Sequence, residues 1–166
     1  SATAKELSMG HMYTATMASN AVTTAKTLMH INGITNGIVV IHSAFFGQYS
    51  DAGDAQAEML PIQIARHGSN SVSGGTTVTP RPNLVNDQAY AGTVIAGASN
   101  TSTNLIVLGE SFNVQAGWYY TPTPEERIVI PPKSAGVSYP SLRFKLPNAP
   151  TDSVTMIGRV TFEVIN

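Results

Sequence analysis

The sequence predicts an all-β chain folded as a two-sheet antiparallel sandwich of jelly-roll type. Three observations predict it. Val, Ile, Thr and the aromatic residues number 56, against 34 for Leu, Met, Gln, Glu, Lys and Arg. Branched and aromatic side chains suit a pleated surface, where their stiff χ1 costs little. Gly, Pro, Asn and Ser recur as turn clusters roughly every dozen residues, the spacing of short strands in sandwiches and barrels. Several segments alternate apolar and polar residues with period two, so each has one buried face.

The elements follow in chain order. Tyr13–Met17 is a candidate first strand, and Leu28 and Ile31 mark a second. Ile38-Val39-Val40-Ile41 is apolar at every position and continues through His42, Ala44, Phe45 and Phe46. A strand without alternation is expected to be covered on both faces, by a second sheet and by a partner subunit. Leu60, Ile62 and Ile64 alternate with Pro61, Gln63 and Ala65. Ala55–Leu60 could form a single helical turn, and Gly68–Asn86 reads as a long polar loop, a feature that is often functional. Leu105-Ile106-Val107-Leu108 with Phe112, then Trp118-Tyr119-Tyr120, then Ile128-Val129-Ile130 are further strands bounded by prolines.

The last two are the clearest. Leu142, Phe144 and Leu146 alternate with Arg143 and Lys145. From Val154 to Ile165 the even positions are Val154, Met156, Gly158, Val160, Phe162 and Val164. Gly158 breaks this apolar face and marks a bulge or a close backbone approach. Pro147 and Pro150 interrupt the connection, and the two flanking strands are expected to pair antiparallel. About eight to ten strands without a fixed repeat favour a jelly roll over a propeller or solenoid.

The chain has 166 residues, 9 basic and 10 acidic side chains and a net charge of −1. That is one domain's worth of chain. The near-zero charge argues against nucleic acid as a partner. Without Cys there is no disulfide framework, thiol nucleophile or thiolate metal site. No apolar run approaches the roughly 20 residues of a membrane-spanning helix, and no signal-peptide core is visible, so no membrane partner is expected. Met9-Gly10-His11-Met12 reads like a vector junction. Residues 1–11 are therefore expected to be an expression-vector remnant and 12–166 the single sandwich domain.

Candidate chemistry is sparse. His30, His42 and His67 lack metal-ligand spacing, although His30 and His42 could face each other across strands. Asp51, Asp54 and Glu58 cluster in a Gly-containing loop and are weak calcium candidates, without the EF-hand pattern. Acidic turn residues form Asx-turns and caps equally well. Glu125 and Glu126 are adjacent and would point apart at a strand start, so a local ion pair with Arg127 is the simpler reading. Trp118 and Tyr120 fall on one face and Tyr119 on the other. A sugar-stacking platform competes here with core packing, which is favoured for the single Trp. Gly68–Gly75 lacks the spacing of a phosphate loop, and Asn100-Thr101-Ser102 is a glycosylation sequon only in a secreted eukaryotic chain. No catalytic residue, metal or cofactor is expected, and the chain is read as a non-enzyme.

Several segments carry a resemblance. They are Ile41-His42-Ser43 running to Gly47-Gln48-Tyr49-Ser50-Asp51-Ala52-Gly53-Asp54-Ala55, Thr79-Pro80-Arg81-Pro82, and Phe112–Trp118 with Pro122-Thr123-Pro124-Glu125-Glu126-Arg127. In this order they resemble small Cys-free capsid decoration or minor head proteins of tailed bacteriophages, over most of Met12–Asn166. The resemblance implies a jelly roll, a homotrimer on the outer capsid surface, contact with the major capsid protein, and synthesis in the bacterial host cytoplasm. It implies no catalytic residues. Tyr13, Thr14 and Met17 are then candidate partner-binding residues, on an arm or edge strand that reaches a neighbour; an ordinary first strand is the alternative. Two other readings compete. One is a carbohydrate-binding sandwich module, using calcium at Asp51 and Asp54 and stacking by Tyr119 or Trp118. The other is a cupin-like enzyme, which needs clustered His and Glu.

Overall fold

The computed structural model describes residues 10–49, 57–69, 72–100, 104–134 and 136–166. The strands are β1 (His11–Val22), β2 (Lys26–Asn32), β3 (Ile38–Gln48), β4 (Met59–His67), β5 (Thr76–Val78), β6 (Arg81–Pro82), β7 (Val94–Ser99), β8 (Asn104–Asn113), β9 (Trp118–Tyr120), β10 (Val129–Ile130), β11 (Ser141–Leu146) and β12 (Val154–Ile165). One sheet runs β10-β3-β12-β1-β6, with β9 also on β3. The other runs β5-β7-β2-β11-β4-β8. Every pairing is antiparallel. β1 to β4 alternate between the sheets, as do β11 and β12, so that β1-β12-β3 runs through one sheet and β2-β11-β4 through the other. That interleaving is the jelly-roll winding.

β12 shows the cause most plainly. Val154, Met156, Gly158, Val160, Phe162 and Val164 are all buried while the residues between them are not. They meet Leu142, Phe144 and Leu146 of β11 in one core that also holds Phe46, Ile64 and Trp118. Gly158 is a close approach, flanked by Met17 and Phe46, and it also borders a bulge, because the register of β1 against β12 shifts between Met17 and Asn20. A Cβ there would lie 2.2 Å from Phe46 Cδ1 and 2.6 Å from the Phe45 carbonyl oxygen.

The structure corrects four expectations. β11 and β12 do not pair with each other: β11 pairs with β2 and β4, and β12 with β1 and β3. The proline-interrupted segment between them carries the chain across the core, because both strands need apolar partners on facing sheets. Arg143 and Lys145 were expected on a polar face, yet both are buried. Residues 68–86 do not form one loop, since β5 and β6 lie within them as short edge strands. The expected helical turn at Ala55–Leu60 does not form over its described part: Met59 and Leu60 open β4, and residues 55–56 lie outside the described residues. The helical element among the described residues is a 3₁₀ turn at Pro124–Glu126.

β1 starts at His11, opposite Val164. Both Asp87 carboxylate oxygens lie 2.8 Å from His11 Nδ1. His11 is therefore part of the folded strand and of an ion-pair geometry, wherever the native chain begins.

Candidate functional site

The residues singled out from sequence occupy separate places. Tyr13 and Met17 are buried in the chain's own core. Tyr13 packs on Tyr90 and Phe162, with ring centroids 5.5 and 5.7 Å away, and its hydroxyl donates to the Gln88 carbonyl at 3.0 Å. Burial and the nearby Asp87 carboxylate push the Tyr13 phenol up from its ordinary value. Thr14 donates to Asn83 Oδ1 at 2.9 Å. This is the ordinary first strand, paired with β12 on one side and with β6 on the other. The side chains of Tyr13 and Met17 face inward.

Asp51 and Asp54 lie outside the described residues. Glu58 is half-buried, and its carboxylate accepts the Thr151 backbone N–H at 2.6 Å, tying the β11–β12 connection to the start of β4. Among the described residues no group of three His, Asp or Glu side chains could hold a metal ion.

His30 and His42 do not face each other. His42 is on the outer face of its sheet, with Nε2 2.8 Å from Glu163 Oε2. His30 is fully buried on the outer face of the other sheet. There Arg143 Nε donates to His30 Nδ1 at 3.0 Å, and His30 Nε2 lies 2.6 Å from Asn32 Oδ1. An Nδ1 that accepts from Arg143 cannot carry a proton, so His30 is held as the neutral Nε2–H tautomer. The His67 ring sits edge-on, 6.2 Å away. Burial brings the Arg143 guanidinium down to about 10. Burial and then the Arg143 charge lower Lys145. This polar layer joins β2, β4 and β11 and has the character of a structural network.

Glu125, Glu126 and Arg127 do not form the expected ion pair. The ion pairs among the described residues are His11–Asp87 and His42–Glu163. Trp118 and Tyr120 are buried and stacked on each other at 6.1 Å, whereas Tyr119 is 62% exposed beside Phe45. The aromatic triplet therefore divides between core and surface as alternation predicts, and it leaves no platform of coplanar rings.

The concave feature with the most chemistry is a groove of about 450 Å³ between the β8 edge and the β9–3₁₀ segment. Val107, Leu108, Tyr119 and Ile128 form its apolar walls, and its charged side chains are Glu110 and Glu126, both acidic. Trp118 Nε1 donates to Glu110 Oε2 at 2.7 Å, which orients that carboxylate. Thr123 Oγ1 donates to Glu126 Oε2 at 3.3 Å, and Tyr120 Oη donates to the Glu126 carbonyl. Burial first, then the Glu126 and Glu110 charges, push the Tyr120 phenol up.

The groove is bordered by the longest edge strand among the described residues, β8. Of the edge strands, β5, β6, β9 and β10 have two or three residues each, while β8 has ten. Natural sheets blunt such edges by keeping them short or by placing Lys or Pro on them. β8 has neither residue, although its register against β4 shifts at Val107, and Leu105, Ile106 and Val107 are 49%, 52% and 40% exposed. Sequence reasoning identified β8 as a strand but missed its place at an edge and missed Glu110. The available signal was a lone carboxylate in an otherwise uncharged strand.

No family model, no curated protein and no solved structure matches this chain.

Proposed function

We propose that the chain is a non-enzymatic virion structural protein, a capsid decoration protein of a tailed bacteriophage. In this reading it assembles with copies of itself as a homotrimer on the outer capsid surface and clamps neighbouring major capsid subunits. The observation that carries the interaction role is the ten-residue β8 edge with three exposed apolar residues, a template for protein contact that folded monomers normally avoid. The virion role rests on the sequence resemblance. Low charge supports it, because surfaces that bury against other proteins are depleted in charge at their centres. The test is cosedimentation of the purified chain with phage heads stripped of their decoration protein. Saturable retention on the heads is expected, and an unbound chain at micromolar concentration would overturn the reading.

A second reading is a carbohydrate-binding module. Tyr119 favours it, as an exposed ring beside a groove with two carboxylates that could accept from sugar hydroxyls. A glycan array without signal removes it.

A further inference from the structure

The β8 edge and the groove beside it together describe the chemistry of what binds them. An open antiparallel edge presents alternate backbone N–H and C=O groups to one kind of partner, an extended strand. Leu105, Ile106 and Val107 supply apolar surface along that edge. The adjoining groove places Glu110 and Glu126 beside Tyr119, with no Lys or Arg among its lining residues. Glu110 is held by the Trp118 indole N–H, and Glu126 is exposed on the 3₁₀ turn. A strand added along β8 would carry side chains of one face past two carboxylates. A basic residue there gains two attractions and an acidic one meets two repulsions.

We infer that the β8 edge takes an extended segment of a partner protein, one that alternates apolar residues with Lys or Arg reaching Glu110 and Glu126. The assignment deepens the interaction role proposed above and rests on it. The occupant is a basic strand and not a second β8, because β8 itself carries no positive charge to meet these carboxylates.

The test uses the full chain and two capped ten-residue peptides, one alternating valine with lysine and one alternating valine with glutamate. NMR shifts of the backbone amides report where each binds. The lysine peptide is expected to shift β8 amides and to bind roughly fivefold to tenfold more tightly than the glutamate peptide at low salt. Glu126→Lys should abolish or reverse that preference, and Ile106→Lys should weaken both peptides. Equal binding of the two peptides, shifts away from β8, or concentration-dependent protection of β8 by a second copy would each overturn the inference. The parent reading fails separately. If heads retain the chain but Glu126→Lys and Ile106→Lys leave retention unchanged, decoration stands and the edge assignment falls. If the lysine peptide docks on β8 but heads do not retain the chain, the reverse holds.

Discussion

Arg143 and His30 face each other across β11 and β2, with Arg143 Nε donating to His30 Nδ1 at 3.0 Å although neither side chain reaches solvent. A guanidinium with no exposed surface is costly to desolvate, and it is tolerated only when its donors are satisfied. Truncating it leaves a void, and His30 Nδ1 loses its donor.

Arg143→Ala is therefore expected to cost about 2–4 kcal/mol in urea unfolding. Arg143→Met keeps most of the volume and should cost clearly less. Equal losses for the two variants would show that the hydrogen bond, and not packing, is what Arg143 supplies.

Gly158 tests the close approach of β12 to β3 within one sheet. A methyl group there meets the Phe46 ring and the Phe45 backbone carbonyl, and the backbone cannot move aside without breaking the β3–β12 ladder. Gly158→Ala is expected to destabilise by about 1–3 kcal/mol, visible as a lower thermal midpoint. An unchanged midpoint would contradict the close approach.

The His11–Asp87 contact gives a pH dependence of known sign. The His11 hydrogen bond is the main cause that holds the Asp87 carboxyl below its ordinary value. A carboxyl lowered on folding adds stability above its unfolded value, and that stability is lost as pH falls through the lowered one. Carbon-detected NMR titration should place Asp87 low in the intact chain and return it toward the usual carboxylate range in His11→Ala. An identical titration in both would remove His11 as the cause.

The Trp118–Glu110 hydrogen bond can be read through the single Trp. Glu110→Ala leaves an indole N–H without its acceptor at the groove wall and is expected to cost about 1–2 kcal/mol, with a changed Trp emission. Glu110→Gln keeps an acceptor and should restore most of the stability while removing the charge. Loss of stability in Glu110→Gln equal to that in Glu110→Ala would contradict the acceptor role.

The sandwich was legible in the sequence because period-two patterning survives wherever one face is buried. β12 and the division of Trp118, Tyr119 and Tyr120 show it directly. The partners of each strand were not legible. β11 and β12 are neighbours in sequence and both amphipathic, and patterning alone cannot say whether two such strands share a sheet or face each other across the core. The burial of Arg143 was hidden for a related reason. A charged residue in alternation reads as solvent-facing, and its partner His30 lies 113 residues away. The edge position of β8 depends on the whole strand order, so the groove with Glu110 and Glu126 emerges only from the fold.

On the proposed reading, this molecule works by joining other protein surfaces, its own copies first. Multi-angle light scattering of the pure chain at micromolar concentration tests that most directly. A mass that is a small whole multiple of 17.5 kDa is expected, three for the trimer. A single sharp species of 17.5 kDa across that range would contradict it.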